Sequence, residues 1–230
     1  MHLVMFDVDG TLTESYQYDQ ACYGATMKHI TGLDVDTDWN NYTHVTDSAV
    51  TLEILQQHNL PSNMATEAEC HFAIRLRTMH ANQPGQFAPI KGAPRMLQQL
   101  KQADVGLAIA TGCWRDSALI KLKNSGVAVD GIPMATASDA LTRQDIMRTA
   151  EERAAQCYGI NQFDSVIYIG DGTWDVRSSR ELGWHFVGVG ADIDNLRSLG
   201  VYHTLRDYSE PEKLWQILAE FGIQHQGMLA

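Results

Sequence analysis

Asp7 and Asp9, two carboxylates one residue apart, lie in the run Asp7-Val8-Asp9-Gly10-Thr11-Leu12-Thr13, directly after the apolar residues 3–6. At the end of a strand such a pair can converge on one point, one group attacking phosphorus while the other holds or donates a proton. Gly10 permits an unusual backbone angle or the close approach of a ligand. The same residues also fit an ordinary surface Asp-Gly turn. A second station is Ala110-Thr111-Gly112. There a hydroxyl and the following N–H suit one phosphate oxyanion near a helix start, or Thr111 simply caps that helix. The third is Gly170-Asp171-Gly172-Thr173-Trp174-Asp175. Asp171 at a strand end and Asp175 one helical turn later can face the same point. Hard oxygen ligands beside a glycine hinge suit magnesium, which keeps waters and takes one or two carboxylates plus substrate phosphate. An Asp N-cap is the plainer alternative.

Each station needs a strand end beneath it, and the chain supplies one. Short β-rich runs at 3–6, 105–110, 132–135, 166–169, 186–189 and 201–204 alternate with helical stretches at 93–102, 115–124, 143–158, 173–182, 193–199 and 211–221. This pattern predicts an α/β fold, a Rossmann-like parallel sheet flanked by helices. In open sheets of this kind ligands bind at the carboxyl ends of the strands. Residues 15–88 break the alternation. They show helical patterns, clearest at 49–58 and 66–80, with no convincing strand, and the block is too long for a simple connection. It reads as an inserted all-α domain.

The formal net charge of -11 argues against a nucleic-acid partner, because phosphate backbones recruit basic faces. It also requires that a phosphate ester be held locally by a metal ion, a basic residue or backbone N–H groups. No run of about 18 apolar residues is present, which excludes a membrane span. Neither is there a basic, extended apolar leader, and Cys22, Cys70, Cys113 and Cys157 are scattered. Both features point to free thiols and a cytoplasmic protein.

Taken together and in order, the stations resemble the haloacid dehalogenase-like (HAD) superfamily, in its phosphatase and beta-phosphoglucomutase-like branch. The motif DxDGTLT is matched at Asp7 through Thr13, the strand-terminal Thr at Thr111, and the acidic pair GDxxxD at Gly170, Asp171 and Asp175. The resemblance implies that Asp7 is the nucleophile and that Asp9 protonates the leaving oxygen and then activates water. It further implies that Asp7, the Asp9 backbone carbonyl and Asp171 hold Mg²⁺, with Asp175 supporting that shell. Thr111, with Gly112, would bind the phosphoryl group. Residues 15–88 would be a C1-type cap on a core made of 1–14 and 89–230. One motif departs from the family: where a Lys is usual, the stretch 137–145 contains none and offers Arg143. An Arg there could hold phosphate bidentately; Lys121 or Lys123 could supply the cation instead.

The expected activity is therefore Mg²⁺-dependent hydrolysis of a small phosphorylated metabolite through an aspartyl-phosphate. A sugar-phosphate phosphomutase and a non-catalytic phosphate-binding regulator are the alternatives. Asp34 through Asp38 imitates the start of an EF-hand loop, but Trp39 and Val45 occupy its obligatory Gly and Glu positions. Thr46 and Asp47 fit a helix N-cap, and they or Tyr16 could instead touch substrate.

Overall fold

A computed structural model describes residues 1–224. Six strands, β1 (His2–Phe6), β2 (Val105–Ala110), β3 (Met134–Ala135), β4 (Val166–Gly170), β5 (His185–Val189) and β6 (Thr204–Leu205), form one sheet in the order β3-β2-β1-β4-β5-β6. Every pairing is parallel. The central strand β1 is apolar along its length because both faces of the sheet are covered. Val4 and Phe6 point into one core layer with Leu97 of α4 (Ala93–Lys101) and Leu214 of α9 (Pro211–Glu220). Leu3 and Met5 point into the other, with Ile146 and Met147 of α6 (Arg143–Tyr158). Helices α5 (Arg115–Ser125), α7 (Thr173–Leu182) and α8 (Ile193–Ser198) complete the alternation.

Between β1 and α4 the chain forms the helices α1 (Tyr16–Thr31), α2 (Asp47–Gln57) and α3 (Met64–Asn82), with a 3-10 turn at Trp39–Asn41. The way in and the way out run side by side: Glu14 N donates to Ala88 O at 2.8 Å and Ile90 N to Leu12 O at 3.0 Å. The helices sit over the carboxyl end of the sheet and share a core layer with it. Tyr23 of α1 meets Trp39 edge-on with ring centroids 5.3 Å apart, and stacks at 6.1 Å on Trp114, at the start of α5. Phe72 of α3 meets Trp114 at 5.6 Å.

The structure moves two expected strands. Expected at 132–135, β3 is confined to Met134–Ala135, since Pro133 has no N–H for a ladder and Ile132 N is spent in a turn on Val129 O. Expected at 201–204, β6 is Thr204–Leu205. Val201 N instead closes the end of α8 on Leu196 O, and its side chain packs with Val176 and Leu196. Helix α1 gave no clear periodic signal, because its buried residues Cys22, Tyr23, Thr26 and Met27 are interleaved with polar ones. Among the described residues no helix is long and apolar enough to cross a membrane.

Candidate active site

Three neighbouring strand tips build the site. Asp7 follows β1, Thr111 follows β2 and Asp171 follows β4, and β2-β1-β4 are adjacent in the sheet. Asp7 N donates to Ile169 O at 3.0 Å, which ties the turn to β4. Gly10 has φ 70°, and a Cβ there would overlap the Asp171 carboxylate. Only glycine lets the turn after β1 pass so close to the tip of β4. Asp175 is aimed back at the same point by the start of α7, where its Oδ2 accepts from Gly172 N at 3.0 Å.

Asp7, Asp171 and Asp175 consequently offer carboxylate oxygens within 4.8 Å of one another. Like charges this close in a buried space oppose ionisation. Burial pushes Asp7 up, with Arg143 opposing it. Burial, then Asp175 and Asp7, push Asp171 well above the carboxylate range. Burial also brings Asp175 up to about 7 against the pull of Arg143. Asp7 Oδ1 is buried and accepts no hydrogen bond. A hard divalent cation fits this donor set, and Asp7, Asp171 and Asp175 could hold one.

Arg143 is brought to this cluster from the first turn of α6. It is 6% exposed; its Nη1 lies 2.9 Å from Asp175 Oδ1 and 3.6 Å from Asp7 Oδ1, and Nη2 donates to Val45 O at 3.2 Å. A Cβ on Gly112 would fall 2.5 Å from Arg143 Nη2, so the second glycine of the site makes room for the guanidinium. Thr111 is buried, its hydroxyl bonded toward Asp7 and also accepting from Cys113 N at 3.3 Å. Of the two alternative cations, Lys123 is exposed and Lys121 is engaged elsewhere.

Lys121 anchors a second network that the sequence did not disclose. Its ammonium, 0% exposed, lies 2.6 Å from Asp9 Oδ2, pairs closely with Asp19 of α1, and donates to Cys113 Sγ at 3.2 Å. Asp9 Oδ2 also accepts from Cys113 Sγ at 2.6 Å, and Oδ1 from Ser15 Oγ. Burial alone would raise the Asp9 pKa, but Lys121 and the bonds from Cys113 and Ser15 hold it below its ordinary value. Asp19, buried beside the same lysine, is pushed up to about 6. Asp7 and Asp9 thus occupy opposite regimes. The one signal for this network was Lys121 itself, on the helix after Thr111; Asp19 lies in the unpatterned first turn of α1.

The inserted helices close over these groups. Thr46 caps α2, accepting from Ala49 N at 3.2 Å, while its hydroxyl donates to Leu141 O at 2.7 Å. Asp47 does more than start that helix: its N donates to Gly112 O at 2.7 Å and its Oδ2 accepts from Trp114 N at 2.8 Å. Ser48 Oγ donates to Ala137 O at 2.7 Å. What remains is a cavity of about 60 Å³, lined by Asp7, Asp9, Thr111 and Asp171 from below and by Asp19, Asp47, Tyr16 and Trp39 from above.

The sequence of residues 4–189 matches the family described as haloacid dehalogenase-like hydrolase. The chain belongs to that family. Solved structures agree on the fold of this haloacid dehalogenase-like hydrolase. A hydrolase from Pseudomonas syringae superposes with a TM-score of 0.73 at 23% identity, covering 96% of this chain and 99% of that one. A beta-phosphoglucomutase from Clostridium difficile gives 0.69 at 18% identity, covering 95% and 97%. CbbY from Rhodobacter sphaeroides, in complex with phosphate, gives 0.68 at 18%, covering 90% and 95%. No curated protein matches the sequence. The family places the chain among hydrolases.

Proposed function

We propose that the chain is a Mg²⁺-dependent phosphatase that cleaves a small phosphate monoester through an aspartyl-phosphate on Asp7. The observation that carries this reading is the buried Asp7 Oδ1, free of hydrogen bonds at the tip of the central strand and facing Asp171 and Arg143. When bound, the metal would neutralise the clustered carboxylates and the charge that develops on the phosphoryl oxygens. The rest falls to the chain's own residues. Asp7 attacks phosphorus as the bond to the leaving oxygen breaks, and Asp9, having taken up a proton from the incoming phosphate monoester monoanion, gives that proton to the leaving oxygen. Asp9 then takes a proton from water as the water oxygen attacks phosphorus, releasing phosphate and restoring Asp7. Lys121 favours the charged form of Asp9, the form that accepts the water's proton. Thr111 and the Gly112 N–H would hold the phosphoryl group, while Arg143, paired with Asp175 and Asp7, would orient them and add positive charge.

The division into a core of 1–14 and 89–230 and a cap of 15–88 belongs to this reading, with closure of the cap excluding water. Cys22, Cys70, Cys113 and Cys157 are free thiols, which supports a reducing cytoplasmic setting. Lys28, which a phosphonate-cleaving enzyme would need as a Schiff base, is exposed and paired with Asp34 at 2.6 Å, away from the cavity. The test is phosphate release from p-nitrophenyl phosphate with and without Mg²⁺. Asp7→Asn is expected to lower kcat by at least about a thousandfold, the scale of losing a nucleophile. Turnover that survives in Asp7→Asn would remove Asp7 from this role.

A further inference from the structure

The leaving-group side of the cavity carries more negative charge than phosphoryl transfer uses. On the phosphatase reading above, the ester oxygen departs toward Asp9, so the groups around Asp9 meet the alcohol part of the substrate. Those groups are Asp19 from α1 and Asp47 from α2, and both line the cavity. Lys121 is the cation beside them, and it lies buried behind Asp9 and Asp19 rather than in the lining. Arg143 does line the cavity, but it is committed to Asp175 and Asp7. Asp9, Asp19 and Asp47 therefore face a single ammonium among the described residues.

The remaining wall on this side is aromatic. Tyr16, Tyr23, Trp39 and Trp174 line the same space, and Tyr23 and Trp39 are fixed by their 5.3 Å edge-on contact. These rings leave Asp19 and Asp47 as the charged groups that a guest on this side would meet. A bound ammonium would hold Asp19 and Asp47 ionised and pair with them in a space where water screens poorly, which a neutral or anionic guest cannot do. Burial already pushes Asp47 well above the carboxylate range, in keeping with a carboxylate that lacks its cation.

We propose that the site selects phosphate monoesters of small amino alcohols, with Asp47 and Asp19 receiving the ammonium and Tyr23 and Trp39 walling it in.

Three two-carbon esters that differ only in terminal charge test this: O-phosphoethanolamine, ethylene glycol monophosphate and 2-phosphoglycolate, each assayed with Mg²⁺. The expected order of kcat/KM is amine, then neutral, then carboxylate, with about tenfold or more between the first two, or about 1.4 kcal/mol. Asp47→Asn keeps an acceptor for Trp114 N but loses the charge, and should bring the amine-to-neutral ratio down several-fold. Equal rates on the three esters, a preference for the carboxylate, or a ratio that Asp47→Asn leaves unmoved would overturn the proposal. The wild-type ordering decides the matter by itself if the variant folds poorly. Hydrolysis of p-nitrophenyl phosphate without amine preference would sink this inference and leave the phosphatase reading standing. Failure on all four esters would end both.

Discussion

Asp7 and Asp9 share a turn, yet their surroundings push their proton affinities apart: burial raises Asp7, whereas Lys121 holds Asp9 down. For the proposed steps a bound cation would have to reverse this order, holding Asp7 ionised as nucleophile while Asp9 carries the proton it donates. Lys121 is the residue on which that separation rests, and it comes from neither carboxylate's own segment. Replacing it removes the ammonium from a space that holds Asp9 and Asp19. Breaking a buried ion pair from one side leaves an uncompensated charge and costs about 3–5 kcal/mol. Lys121→Gln is therefore expected to lower the unfolding free energy by that order. Adding Asp19→Asn should restore part of it, so the double variant is more stable than the sum of the singles predicts. Strict additivity in chemical denaturation would show that the lysine does not couple the two carboxylates.

At the scale of elements, the site depends on how the helices behind the sheet are tied to its loops. Asp139, in the turn after β3, joins α5 and α6: its carboxylate lies 2.9 Å from Arg115 and 2.7 Å from Arg153 and accepts from Thr136 N at 2.9 Å. Burial would raise its pKa, but the bonds from Arg153 and Thr136 win and hold it at about 2. A depressed carboxylate favours the fold wherever the unfolded chain is also ionised. Its contribution is therefore complete above its ordinary value of 3.8 and is lost as the pH falls from there through about 2. Asp139→Asn should be less stable than the parent at neutral pH, by about 1–2 kcal/mol, and the gap should close in acid. Thermal melts of both proteins across that range check it; a gap independent of pH would mean that packing, rather than charge, sets the cost. The turn stands directly before α6, which carries Arg143, so the same ties that stabilise the helix pair also aim the guanidinium.

Across the whole molecule, the largest electrostatic tension lies where three strand tips and the overlying helices meet. With Asp175 brought up to about 7 and Asp171 well above the ordinary range, the folded chain without metal keeps protons that the unfolded chain has already lost. These groups consequently favour the fold most at low pH, and their contribution falls as the pH rises from about 4 toward 7. A divalent cation competes with those protons for the same oxygens. The increase in Tm on adding Mg²⁺ should then be larger at about pH 7.5 than at about pH 5, reaching the equivalent of about 2.7 kcal/mol when free metal is a hundred times its Kd. Equal increments at the two pH values, or none, would separate the acidic cluster from metal binding.

How much of this could be read without coordinates follows from how local each determinant is. Asp7, Thr111 and Asp171 were legible because each lies where an apolar run ends, with Asp9 two residues and Asp175 four residues farther on, and strand ends in a parallel sheet gather on one edge. Arg143 was found at the place of a missing lysine, and the sheet brings it to Asp7 and Asp175. Less local features escaped. Residues 201–204 looked like a strand, but the end of α8 claims the Val201 N–H first. Asp19 lies 102 positions from Lys121 and Asp47 lies 67 from Trp114, separations that no periodicity or spacing encodes. The sequence by itself determined the chemistry of the strand tips, because residue type and chain direction suffice for that. Only the tertiary structure decided which carboxylate keeps its charge and what faces the leaving group, because burial and the nearest ammonium are properties of packing between distant segments.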